Sequence, residues 1–94
     1  MKKTAPVNGR NIVGANVRRI RMSQDPKVTL EDMAGRLAAR GVQLDRSAIG
    51  RIENDDRYVL DYEAVALADA LGVDVADLFR KIDCPKNLLR RRAG

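Results

Sequence analysis

The chain has 94 residues, a length for one domain with a modest core and no room for a second. Lysine and arginine outnumber aspartate and glutamate 18 to 13, and the resulting formal charge of +5 is compatible with a polyanionic partner. With no histidine, a single cysteine, no glycine-rich phosphate loop and no cluster of metal ligands, neither an enzyme nor a protein holding a cofactor, metal or small-molecule ligand is expected.

Taken in chain order, Met1 to about Gly9 contains Pro6 and Gly9 and has no periodicity, so residues 1–10 read as a flexible basic arm. From Ile12 to Met22, Val13, Val17 and Ile20 recur at i, i+4 and i+7, which predicts a first helix. Ser23 to Val28, with Pro26, breaks it. Thr29 is placed to cap a second helix, with Asp32 three residues on to complete a capping box. Leu30, Met33, Ala34, Leu37 and Ala38 then follow at helical spacing, and Gly41 is placed to stop the helix in the left-handed conformation.

Asp45 predicts the N-cap of a short third helix to about Glu53. A polar turn over Asn54 to Leu60 holds Asp55 and Asp56, which read as solvated rather than catalytic. Asp61 is expected to cap a fourth helix burying Ala64, Leu67, Ala68 and Leu71, with Gly72 as its stop. Asp74 and Asp77 suggest the start of a last short helix bearing Val75, Leu78 and Phe79. Pro85 ends regular structure, and residues 81–94 read as a basic tail. No stretch alternates as a strand would, so the expected fold class is all-α. Cys84 alone permits no internal disulfide and fits a reducing cytoplasm, and there is neither an apolar run of membrane-spanning length nor a signal-peptide start. A cytoplasmic protein with no membrane partner is therefore expected.

Charge is segregated along the chain. Met1 to Arg21 holds six bases and no acid, whereas Glu53 to Asp77 holds eight acids and only Arg57. The acidic stretch should face away from any polyanion.

The third helix has two dissimilar sides. With Arg46 at zero, Gly50, Ser47 and Arg51 fall at about 40°, 100° and 140°, and Ala48, Ile52 and Ile49 at about 200°, 240° and 300°. One side can dock on a bundle. The other carries two arginines, a hydroxyl and a glycine that allows close approach, the chemistry of a helix in the DNA major groove, where arginine donates to guanine O6 and N7. An ordinary solvated helix face has the same pattern, and the wheel alone does not separate the two.

The string Asp45-Arg46-Ser47-Ala48-Ile49-Gly50-Arg51-Ile52-Glu53-Asn54 resembles the reading helix of the Xre/Cro-type repressor family. Thr29 to Ala34 resembles the start of that family's first motif helix, and Ala66 to Val73 followed by Asp77-Leu78-Phe79 resembles its closing helices, so the likeness spans about Val13 to Phe79. It implies a five-helix lambda-repressor-like DNA-binding domain over residues 11–80, with a helix-turn-helix and the function of a sequence-specific transcriptional repressor or regulator on double-stranded DNA. By this resemblance Arg46, Ser47, Gly50 and Arg51 read bases. Thr29 lies where the family binds phosphate, and Arg57 is counted among the backbone contacts. Arg21 and Glu53 correspond to a structural ion pair between the first and third helices.

The chain departs from the family in two places. Leu30 stands where a glutamine usually contacts phosphate, which leaves Arg18, Arg19 and Lys27 to supply that contact electrostatically. The stretch from Ala34 to Leu44 is longer than the usual tight turn, as in a branch of the family that shares the Arg57-Tyr58-Val59 step, and it implies a second helix about a turn longer. Family members commonly form homodimers, for which Tyr58, Val59, Phe79 and the Leu88-Leu89 pair are the interface candidates. The alternative function is a protein-interaction module or antitoxin-like partner that keeps the fold without reading bases.

Overall fold

The computed structural model describes residues 9–80. They form five helices: α1 (Gly14–Ser23), α2 (Leu30–Ala39), α3 (Arg46–Glu53), α4 (Asp61–Leu71) and α5 (Val75–Leu78). No strand occurs among the described residues, and the fold class is all-α. The segments from residue 1 to 8 and from 81 to 94, with Cys84, Pro85, Leu88 and Leu89, lie outside the described residues.

Each helix after the first starts on the same local device. An apolar residue precedes the N-cap, and a second apolar residue stands five positions later: Val28 and Met33, Leu44 and Ile49, Val59 and Ala64, Val73 and Leu78. That is the spacing of a hydrophobic staple, which fixes the angle at which the chain enters a helix. Both members of the first two pairs are buried in one core, which also takes Val13 at the N-cap of α1, Val17 and Ile20 from α1 and Leu67, Ala68 and Leu71 from α4.

The caps follow the sequence closely with one exception. Thr29 Oγ1 accepts from the Asp32 amide at 3.0 Å while Asp32 Oδ2 accepts from the Thr29 amide at 3.0 Å. Asp45 Oδ1 accepts from the Ala48 amide at 2.8 Å. Gly41 and Gly72 take φ of 82° and 75°, the left-handed stop that glycine adopts without a Cβ penalty. The exception is α4. Its N-cap is Leu60 rather than Asp61, and Glu63 reaches back to accept the Leu60 amide at 3.0 Å. Asp61 instead occupies the first helical position, where its charge still suits the positive helix end.

α1 begins two residues later than its apolar periodicity suggests. Asn11 Oδ1 accepts from the amides of Val13 and Gly14, at 3.1 and 2.7 Å, while its Nδ2 donates to the carbonyls of Ile52 and Arg57. The chain is thereby held in a turn at Ile12, which is left half exposed. Gly9 and Arg10, assigned by sequence to a flexible arm, also lie against the protein: the Arg10 amide donates to Asp55 O at 3.0 Å. α2 ends at Ala39, and the residues in excess of a tight turn form the link from Arg40 to Asp45.

Candidate nucleic-acid interface

α3 buries Ile49 and Ile52 completely and leaves Ala48 half-buried at the core edge. Arg46, Ser47 and Arg51 therefore point outwards and are exposed, with Gly50 half-buried between them. These four residues share one open groove with the start of α2, lined also by Thr29, Leu30 and Glu31, and at its ends by Arg21 and Asn54. Leu30, Glu31 and Asn54 were not among the site residues expected from sequence. Leu30 and Glu31 enter through how α2 crosses α3, a relation that spacing within one helix does not encode, whereas Asn54, the C-cap of α3, lies three and four residues after Arg51 and Gly50 on their side of the helix.

Gly50 has space around it. A Cβ there would meet nothing closer than Leu30 Cδ1 at 3.9 Å, an ordinary contact, so the helix packing does not require glycine at this position. Gly14 is the opposite case. A Cβ there would overlap the carbonyl oxygen of Ile52, so glycine is what lets α1 abut the end of α3.

The groove is braced from behind by an ion pair. Arg21 Nε and Nη2 donate to the two carboxylate oxygens of Glu53 at 2.8 and 2.9 Å, and Nη1 donates to Val28 O at 2.8 Å. The side chains are 10% and 5% exposed, so the pair is desolvated as well as bidentate. Hydrogen bonding to Glu53 holds the Arg21 guanidinium above its ordinary pKa, against the opposing influence of burial.

The residues expected at the DNA backbone do not form one set. Arg18 is exposed on α1, and Lys27 is exposed beside the outer face of α2, next to Pro26 and Glu31. Arg19 donates to Asn16 Oδ1 at 3.1 Å. The Thr29 amide donates to Asp32 Oδ2 and the Thr29 hydroxyl oxygen accepts from the Asp32 amide, so the capping box withdraws the amide from a phosphate and leaves the hydroxyl hydrogen as a donor. Arg57 donates to both oxygens of buried Glu63, at 3.0 and 3.3 Å, and is thereby committed to the start of α4.

No acid between Glu53 and Asp77 lines the groove; Glu53 itself is turned inwards to Arg21. Asp69 pairs with Arg40 and Asp77 with Arg80, on the α4 and α5 side of the molecule. Glu31 is the acid that does line the groove. Among the described residues no group of three or more aspartate, glutamate or cysteine side chains is arranged to hold a metal ion, and no helix is long and apolar enough to cross a membrane.

Two asparagines outside the groove hold the scaffold. Buried Asn16 donates to Leu78 O at 2.9 Å and also to Arg80 O, tying α1 to α5. Asn11, described above, ties the start of α1 to the end of α3. Their partners are backbone carbonyls more than 40 positions away, which leave no mark in the sequence.

Comparison with protein-family models, with curated proteins and with solved structures finds no match to this chain.

Proposed function

We propose that the chain is a sequence-specific double-stranded DNA-binding protein, a transcriptional repressor or regulator built on a lambda-repressor-like helix-turn-helix. The observation that carries the reading is the division of α3: Ile49 and Ile52 wholly inside, Arg46, Ser47 and Arg51 wholly outside on a groove shared with the start of α2. Arginine supplies paired donors to guanine, serine pairs with several base edges, and Gly50 lets the helix axis lie close to the groove floor. The pair Arg21–Glu53 fixes α3 against α1, so the reading side chains project from a rigid element.

A second reading, a protein-interaction module, rests on a different observation. Ile12, Leu60 and Phe79 are about half exposed around a cleft between the starts of α1 and α4 and the end of α5, with Tyr58, Tyr62 and Val65 more exposed nearby. Such a surface suits a protein partner, including a second copy in a homodimer.

Selection of bound duplexes from a random pool tests the first reading. Wild type is expected to enrich one shared motif, and Arg46→Ala or Arg51→Ala to blur it at particular positions. A wild type that enriches nothing, even at low salt, overturns DNA reading and leaves the apolar surface as the functional one.

A further inference from the structure

Resting on the DNA reading of this groove, we infer that Leu30 is a specificity determinant that recognises the 5-methyl group of a thymine. Leu30 is the first residue of α2, a position where an exposed helix end ordinarily favours an anion. Here that preference is opposed twice. Glu31 and Asp32 follow at once, so a phosphate would meet two carboxylates, and the Thr29 amide is already spent on Asp32. The Leu30 side chain has no polar atom to offer a phosphate.

What Leu30 does offer is an apolar surface at the right place. Its inner side packs on the core while its outer side lines the groove with Arg46, Ser47, Gly50 and Arg51. Gly50 leaves room beside it: a methyl at position 50 would stand 3.9 Å from Leu30 Cδ1, in van der Waals contact, and would cover part of its surface. Among the base edges of the major groove only thymine carries a methyl group, so an apolar patch flanked by guanine-reading arginines selects thymine beside guanine.

The test uses the duplex selected by the wild-type chain, with each thymine replaced in turn by deoxyuridine, which removes the methyl and leaves every hydrogen-bonding group. At one thymine the replacement is expected to weaken wild-type binding about fourfold, the loss from one buried methyl-sized group. With Leu30→Ala the same replacement has no effect, and with Gly50→Ala the effect shrinks although no cavity is made. Thermal unfolding of each variant separates loss of fold from loss of contact, and Leu30→Met, which conserves volume, keeps the methyl dependence. A selected motif in which no thymine responds, or in which the response is unchanged by Leu30→Ala, overturns the inference while leaving DNA reading intact. Failure of the wild type to select any motif removes both.

Discussion

The Arg21 guanidinium spends three of its donors on two partners, the Glu53 carboxylate and the Val28 carbonyl, and it does so almost out of contact with water. Removing one member leaves the other charge buried and unpaired. Arg21→Ala is therefore expected to cost about 3–5 kcal/mol in urea unfolding, far more than an exposed pair is worth. The paired replacement Arg21→Met with Glu53→Leu should recover most of that loss, because it removes both charges together. Asn16→Ala deletes donors to two carbonyls between α1 and α5 and should cost about 1–3 kcal/mol for each acceptor left unsatisfied. Nothing in the local sequence announces this role of Asn16. The Arg21–Glu53 relation was legible only through resemblance, since two residues 32 positions apart carry no periodic signal.

At the scale of elements, the chain declares its helices through their ends. Thr29 with Asp32, Asp45, Gly41 and Gly72 each act within three or four residues of themselves, so reading them needs no knowledge of tertiary structure. α4 escapes that rule because its cap is a leucine, and the hydrogen bond that starts the helix runs from the Leu60 amide to the Glu63 carboxylate. Burial pushes the Glu63 carboxyl up, but the hydrogen bonds from Arg57 and the Leu60 amide, with the Arg57 charge, outweigh it, and its pKa lies below the ordinary glutamate value. A carboxyl depressed on folding stabilises the fold fully above its unfolded pKa, and the contribution is lost as pH falls through the folded value. Glu63→Gln should therefore lower the unfolding temperature at neutral pH. The difference from wild type should shrink as pH is taken below the ordinary glutamate range, as thermal scans across that interval would show. Gly72 marks the end of α4, but the bonds that cap its carbonyls were hidden: Arg36 donates to Ala70 O and Gln24 to Leu71 O, from α2 and from the α1–α2 link.

Over the whole molecule no acid after Glu53 lines the groove, but among the described bases of the first third only Arg21 does, and Arg10 lies 3.7 Å from Asp56 of the acidic stretch. What the order of charges in the chain did not reveal is how many bases are already engaged. Arg57, Arg36 and Arg40 hold the scaffold, so net charge overstates the cations that a duplex would meet. Salt dependence tests this directly. If Arg18 contacts a phosphate, Arg18→Ala should weaken binding to all duplexes alike and lower the slope of log K against log salt by about one. Arg46→Ala should instead cost about 1–3 kcal/mol on the preferred sequence and relax preference at one base pair. An Arg46→Ala loss that is the same on preferred and scrambled duplexes, or an Arg18→Ala loss that differs between them, would contradict the roles given to them.

Gly14 has a consequence that reaches beyond packing. Because it brings the first turn of α1 against the Ile52 carbonyl, and Asn11 and Arg21 grip the same end, α3 is built like a beam clamped at one end. Its opening turn rests on the Asp45 side chain and the buried Leu44 and Ile49, and its first two amides have no helical acceptor. Hydrogen exchange should grade along this one short helix, with Ile52 and Glu53 opening only when the fold does and the amides nearest Asp45 opening far more often. A duplex arriving at the groove would meet side chains free to settle on it, carried by an axis that is not.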